Sequence, residues 1–409
     1  MDFFFKDAKD DIIVTWDALI NDLNKVTSFN PYCKSVNYFE VFNQVITSML
    51  IGQEIILLDS DFSDDELVNL TGYSQYDKFT QPIQVCFKIN DKMELIEKLR
   101  NTSNDWKVTL FTSGTTGLPK KVTHNFTSIT RFVKYAERNT KSTWGFAYNP
   151  THMAGIQVFL QALLNGNPIV RLFGMSPKEI HREIKEDGIS HISATPTFYK
   201  LLLPCEDTFT SVERITSGGE RFNERIQKLL TVIFPKAKIT NVYASTEAGT
   251  IFASDNDIFS IKSEFEHLIK VENNELLIQK SLMGNTDINI KEWYNTGDLI
   301  EIISNEPLKF RFISRKSDMI NVGGYKVNPI ELEEIMLTLS GIKDVRVYSK
   351  TNSVLGNIIC CEVVRNSNHL EELSIRAYLQ SKIQEFKIPR VIKFVDELST
   401  TRTGKIKRN

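Results

Sequence analysis

Between Lys107 and Tyr243 short apolar runs alternate with amphipathic stretches, and this alternation leaves the chain few folds to adopt. Val108–Thr112, Ile169–Phe173, His191–Thr195, Glu213–Thr216 and Lys238–Tyr243 read as strands, each too short and too apolar for a surface helix. Helices are expected between them. Ser176-Pro177-Lys178-Glu179 has the residues of a capping box with proline at the first helical position, and Asn223 can cap the next helix. Ile129, Phe132, Val133 and Ala136 recur at the spacing of one helical face. Strands separated by helices return in the same direction, so the expected fold is α/β, with mostly parallel sheets covered by helices.

The pattern changes near Ser317. Asn328-Pro329 starts a helix with Glu331 in its first turn. Two apolar strands (Asp344–Ser349 and Ile358–Val364), a helix (Leu373–Gln384) and a strand (Val391–Val395) follow. This predicts a small α+β domain over 317–409 after a large domain over 1–316, within a chain of 409 residues. The first hundred or so residues are less regular. Only a helical pattern at Trp16–Leu23 and an apolar run at Ile51–Leu58 stand out there.

Charge narrows the choice of partners. Lys and Arg number 49 against 51 Asp and Glu, a net charge of −2, so nothing draws the chain to nucleic acid or an anionic membrane. The start mixes Phe3-Phe4-Phe5 with charges and fails as a signal peptide, and no stretch suits a membrane span. A cytoplasmic location is therefore expected. The five cysteines form no CxxC or Cys/His metal spacing, and the adjacent Cys360 and Cys361 read as core or edge residues.

Chemistry concentrates at 111–122, Phe-Thr-Ser-Gly-Thr-Thr-Gly-Leu-Pro-Lys-Lys-Val. Directly after a strand, hydroxyls can donate to phosphate, glycines let the backbone approach closely, and a lysine supplies charge. The Walker spacing GxxxxGK[ST] is absent, which argues against an ordinary P-loop NTPase. This segment closely resembles the signature loop of the adenylate-forming superfamily: acyl- and aryl-CoA synthetases, peptide-synthetase adenylation domains and luciferases. The resemblance continues in order. Ser217-Gly218-Gly219-Glu220 resembles the adenine-side loop, and Asn241-Val242-Tyr243-Ala244-Ser245-Thr246-Glu247 resembles the YGxTE motif. Thr296-Gly297-Asp298 matches the TGD motif, and Ser314-Arg315-Lys316-Ser317-Asp318 resembles the hinge. Thr403-Gly404-Lys405-Ile406 matches the final catalytic-lysine motif.

The resemblance implies an ATP- and magnesium-dependent acid–thiol ligase. A carboxylate is a poor electrophile and ATP is an anion, so such an enzyme must neutralise charge and align the two. By resemblance, Thr112, Ser113, Gly114, Thr115, Thr116, Gly117 and Lys120 would hold the β- and γ-phosphates. Thr246 would bond the α-phosphate, Glu247 would hold magnesium, and Lys405 would bridge the acid and the α-phosphate. Asp298 and Arg315 would reach the ribose. Tyr243 and the Gly218–Glu220 backbone would flank adenine, with Asn241 reading its amino group.

The family also rotates its small domain between half-reactions. Ser317 stands where most members carry a charged hinge residue, while Gly323 and Gly324 would admit a pantetheine arm. His152 and Gly155, with Thr197 and Ala244, would line the acid pocket. Ala244, where deep-pocket members often have glycine, implies a small, medium or aryl acid. CoA is the expected acceptor, with the phosphopantetheine of an acyl carrier protein as the alternative. Val14–Leu19 resembles an early family segment, yet the region before the loop is shorter than usual, as if part of the first subdomain were trimmed. A non-catalytic nucleotide- or acyl-binding protein is the competing class, distinguished by a lack of acid-dependent ATP–pyrophosphate exchange.

Overall fold

The computed structural model describes residues 3–72, 82–112, 119–136, 140–261, 263–287, 290–322, 325–352, 356–366, 369–401 and 406. By internal packing the chain divides into two units, 1–257 with 279–292, and 258–278 with 293–409. The border expected at Ser317 lies inside the second unit.

Among the described residues of the first unit, eight strands pair into one sheet. Its middle is parallel: Arg214–Gly218, His191–Ala194, Trp144–Phe146, Ile169–Arg171 and Phe3–Asp7 run side by side, with Lys238–Ser245 beyond Arg214–Gly218. Antiparallel strands, Gly249–Ser254 and Ile12–Thr15, close the two edges. Burial on both faces explains the unbroken apolar runs in the sequence. Helix Pro177–Glu186 begins with the full capping box, Ser176 and Glu179 each accepting from the other's backbone. Asn223 caps Glu224–Ile233 through the Ile226 N–H. Each such cap is worth about 1 kcal/mol.

The N-terminal phenylalanines are core residues, a role their sequence did not reveal. Phe4 and Phe5 are fully buried. Phe5 meets Phe42 edge-on at 5.3 Å, and Phe42 stacks on Phe159 at 4.2 Å. The strand Phe3–Asp7 is thereby anchored on helices Tyr38–Ile51 and Met153–Leu163.

A second sheet of the first unit has the order Asn285–Thr286, Lys120–Asn125, Lys107–Thr112, Ile55–Leu58, Tyr32–Lys34. Lys107–Thr112 and Lys120–Asn125 form an antiparallel hairpin with Thr112 opposite Lys120. The helical face expected at Ile129, Phe132, Val133 and Ala136 is not realised. The helix is Phe126–Thr130 only, capped by Asn125. Beyond it the Lys134 N–H donates to Gln161 Oε1 at 2.9 Å, and its carbonyl accepts from Gln161 and Asn165. Side chains from and just beyond helix Met153–Leu163 thus satisfy backbone groups that a longer helix would have paired internally.

In the second unit, Phe259–Ser260, Leu308–Arg315, Trp293–Asn305, Glu275–Gln279 and Ile269–Glu272 form an antiparallel sheet. Ile342–Asn352, Gly356–Arg365 and Val391–Val395 form a smaller one, which helices Pro329–Leu337 and Glu372–Gln380 accompany. Leu332, Met336, Val345, Val363 and Leu379 share its core. Cys360 and Cys361 are both buried and reduced, and burial pushes the Cys361 thiol up to about 12.

Candidate active site

The first unit holds the strands that flank the expected phosphate loop and those that carry Gly218 and Asn241–Ser245. Residues 113–118, which include Ser113, Gly114, Thr115, Thr116 and Gly117, lie outside the described residues. Their flanks are clear. Thr112 ends the incoming strand and Lys120 begins the outgoing one.

Gly218 ends its strand where no side chain fits: an added Cβ would lie 2.5 Å from Val242 Cγ2. Gly219 has φ +81°, which glycine adopts freely. Glu220 then folds back, accepting from the Thr197 N–H and the Thr197 hydroxyl, both at 2.9 Å. Two residues expected to serve different subsites are therefore clasped together. Beside them Tyr148 is buried, which pushes its phenol up to about 12.

The strand Lys238–Ser245 carries Asn241, Tyr243 and Ala244. Asn241 is buried, and its amide nitrogen donates to the Asn256 carbonyl at 2.9 Å. Tyr243 pairs across the edge with Phe252, their rings 5.8 Å apart. The register slips between Tyr243 and Ala244, and the chain then turns through Thr246 and Glu247, both half-buried. The Ala248 N–H donates to Ser245 Oγ at 3.2 Å. His124 Nε2 lies 2.8 Å from the Thr246 carbonyl, and the Gly284 N–H donates to the Glu247 carbonyl at 2.8 Å.

His152 precedes helix Met153–Leu163 without capping it. Its Nε2 sits 3.1 Å from Asp59 Oδ1, close enough for an ion pair but off-angle for a hydrogen bond. The Thr151 hydroxyl donates to the same carboxylate oxygen. Gly155 lets this helix touch the preceding turn: a Cβ there would lie 2.2 Å from the Asn149 carbonyl oxygen.

In the second unit Asp298 and Arg315 face each other on paired strands. Asp298 is buried, and Arg315 Nε donates to its Oδ1 at 2.9 Å. Gly297, at φ +76°, donates its N–H to Glu275 Oε1 at 3.1 Å. The second oxygen of Glu275 accepts from Lys316 Nζ at 3.2 Å. One buried carboxylate thus ties the TGD segment of strand Trp293–Asn305 to the residue before the expected hinge. Ser317 lies in the short turn Lys316–Asp318, its hydroxyl donating to Asp318. Gly323, Gly324 and Lys405 fall outside the described residues.

Asp59, His124, Glu275 and Gly284, which pair with expected site residues or their neighbours, were not legible in the sequence. Each is an isolated letter whose partner is distant in the sequence. The doubled-glycine and hydroxyl-rich motifs carried their own signal.

A largely parallel α/β unit whose hairpin flanks a hydroxyl- and glycine-rich segment, with a second, smaller unit, matches the build that the resemblance implies. Residues 6–291 match the AMP-binding enzyme family, and residues 331–405 match the AMP-binding enzyme C-terminal domain. The chain belongs to the AMP-binding enzyme family. It is 24% identical over 334 residues to a 2-succinylbenzoate–CoA ligase of Listeria innocua, covering 73% of this chain and 68% of the relative. It is 24% identical over 341 residues to a 3,4-dihydroxybenzoate–[aryl-carrier protein] ligase of Bacillus anthracis, covering 80% and 78%. Among solved structures, o-succinylbenzoate CoA synthetase of Bacillus subtilis in complex with its acyl-adenylate intermediate superposes with TM-score 0.72 at 18% identity. That match covers 99% of this chain and 94% of that one. Among the described residues, no helix is long and apolar enough to cross a membrane.

Proposed function

We propose that this chain is an ATP-dependent acid–thiol ligase acting on a small, medium or aryl carboxylic acid. In the first step a carboxylate oxygen attacks the α-phosphorus of ATP and pyrophosphate leaves. In the second a thiol attacks the acyl carbon, the thioester forms, AMP leaves and the thiol proton passes to solvent. CoA is the proposed acceptor. The observation that carries this reading is the phosphate-loop hairpin packed beside the Thr246–Glu247 turn within one unit.

The residues present suit these tasks. Lys120 and the hydroxyls and backbone of 112–117 would neutralise the departing phosphates. Thr246 would donate to the α-phosphate. Glu247 would hold magnesium with its one carboxylate. That donor set fits magnesium, which keeps waters and takes other oxygens from phosphate. When bound, the ion supplies charge neutralisation on the phosphates. With the Asn241 nitrogen spent on Asn256, its amide oxygen is the atom that would accept from the adenine amino group. Tyr243 would stack on the base against the Gly218–Glu220 backbone. Asp298 would accept from ribose hydroxyls, with Arg315 beside it.

We assign Lys405 to the acid and α-phosphate, Gly323 and Gly324 to the pantetheine arm, and the functional border to Ser317. Domains 1–316 and 317–409 follow from that border. His152, Gly155, Thr197 and Ala244 would shape the acid site, where the Ala244 methyl limits depth. Relatives are named both for aryl acids and for long-chain fatty acids, so the proposed size class rests on the Ala244 methyl. A cytoplasmic location is part of this proposal. The B. anthracis relative keeps a carrier-protein acceptor as a second reading. A panel of aryl and short-chain acids, scored by pyrophosphate release with CoA or a phosphopantetheinyl carrier protein, tests the assignment. Aryl or short acids with CoA should give turnover. No acid-dependent release with either thiol would refute catalysis.

A further inference from the structure

The function above gives His124 and Gly284 no role, yet both press on its phosphate-side turn. His124 lies on the strand leading out of the phosphate loop, four residues after Lys120, and is 1% exposed. Its Nε2 is 2.8 Å from the Thr246 carbonyl oxygen. A carbonyl only accepts, so Nε2 must carry the proton and donate. In the neutral ring Nδ1 carries no proton, and it lies 3.2 Å from Ser128 Oγ, whose hydroxyl donates to the Asn125 carbonyl at 3.1 Å. Burial holds the imidazole below the usual histidine value, and Arg131 acts in the same direction. The bond to Thr246 and the Glu247 charge act against both.

Gly284 completes the arrangement from the neighbouring segment. Its N–H holds the next carbonyl, that of Glu247, at 2.8 Å. Its missing side chain makes room for the ring: an added Cβ would lie 2.8 Å from His124 Cε1, from His124 Nε2 and from the Thr123 carbonyl oxygen. Two consecutive peptide groups are therefore fixed from outside the turn they belong to. Fixing both carbonyls fixes the direction in which the Thr246 and Glu247 side chains leave the backbone. A buried histidine that merely filled the core would require no donor at this one carbonyl.

We propose that His124 and Gly284 are positioning residues that set the Thr246–Glu247 turn against the phosphate-loop strand before the nucleotide arrives. This rests on the ligase reading, since it presumes that the turn meets phosphate and magnesium.

The test titrates the full chain with ATP by calorimetry, with magnesium and with a chelator. Binding by the wild-type chain checks the ligase reading itself, and no binding under either condition removes that reading before any variant is compared. His124→Gln carries its amide nitrogen to about the reach of Nε2 and keeps the donor to Thr246. His124→Asn reaches only as far as Nδ1 and leaves that carbonyl without its partner. Gln should retain wild-type affinity for magnesium–ATP, whereas Asn should weaken it by about tenfold, the loss expected for one unmade buried hydrogen bond. Gly284→Ala, which displaces the ring, should weaken it similarly. A variant that only folds poorly lowers the number of sites and not their affinity, so reduced stoichiometry at unchanged affinity overturns the proposal. Equal affinities for wild type, Gln and Asn, or equal losses for Gln and Asn, overturn it as well.

Discussion

Asp298 is held in place from two sides, by Arg315 Nε on its carboxylate and by the Thr296 hydroxyl, which accepts from its backbone N–H at 3.0 Å. An acceptor-only side chain fixed in this way can receive both hydroxyls of a ribose without first reorganising. Its removal should therefore act on nucleotide binding more than on folding. The Arg315 side chain is 53% exposed, so the ion pair contributes no more than about 1 kcal/mol to stability. Asp298→Ala should raise the Kd for ATP by about tenfold or more, the cost of one or two charge-assisted hydrogen bonds, while the melting temperature stays close to wild type. Unaltered nucleotide affinity would contradict the ribose assignment. Asp298 could be picked out in the sequence because Thr296 and Gly297 precede it in a motif. His124 could not, because its partner Thr246 is 122 residues away, and Thr151 reaches Asp59 across 92. Neither pair leaves a local trace in composition or period.

Elements were more legible than pairs, for a physical reason: a buried strand or a capped helix writes its period and its punctuation into adjacent residues. The strand beginning at His191 was expected within one residue of its observed end, Ala194. The failure at Phe132–Ala136 has the same logic in reverse, since an apolar period cannot show that Gln161 and Asn165 intercept the backbone. Histidine in a fully buried strand has a consequence of its own. His191 is 7% exposed, in register with Arg214 on one side and Trp144 on the other. Its Nδ1 is 2.9 Å from Ser190 Oγ. Burial, aided by the Arg214 charge, pushes its pKa down to about 4. The folded strand keeps the ring neutral where the unfolded chain, titrating near about 6.5, already takes up a proton. Stability is thus full above the unfolded value and is lost as pH falls toward the folded one, by about 3 kcal/mol at most. His191→Gln should flatten the fall in melting temperature between about pH 7 and about pH 5. A variant with the same pH slope as wild type would show that His191 does not carry it.

At the scale of the whole molecule, one chain must run two reactions that make opposite demands on charge. Adenylation brings a carboxylate against a triphosphate and needs a cation at the reacting oxygens. Thioester formation starts from a mixed anhydride with pyrophosphate already gone, and the same cation has no second anion to bridge. The proposed division of labour along the sequence would answer this. The residues assigned to ATP up to Glu247 belong to the first unit, whereas Lys405 falls by sequence in the second, within the matched C-terminal domain. A cation desolvated beside phosphate is worth far more than the same lysine in water, so its loss should be felt only in the step that uses it. Lys405→Ala should reduce acid-dependent ATP–pyrophosphate exchange by a factor of about a hundred or more, the scale of one lost electrostatic contact to the transition state. Thioester formation from acyl-adenylate supplied in its place should proceed near the wild-type rate, as read by AMP release in the presence of CoA. Parallel loss in both half-reactions would mean that the lysine serves the fold or both steps alike, and the proposed division between the two ends of the chain would be wrong.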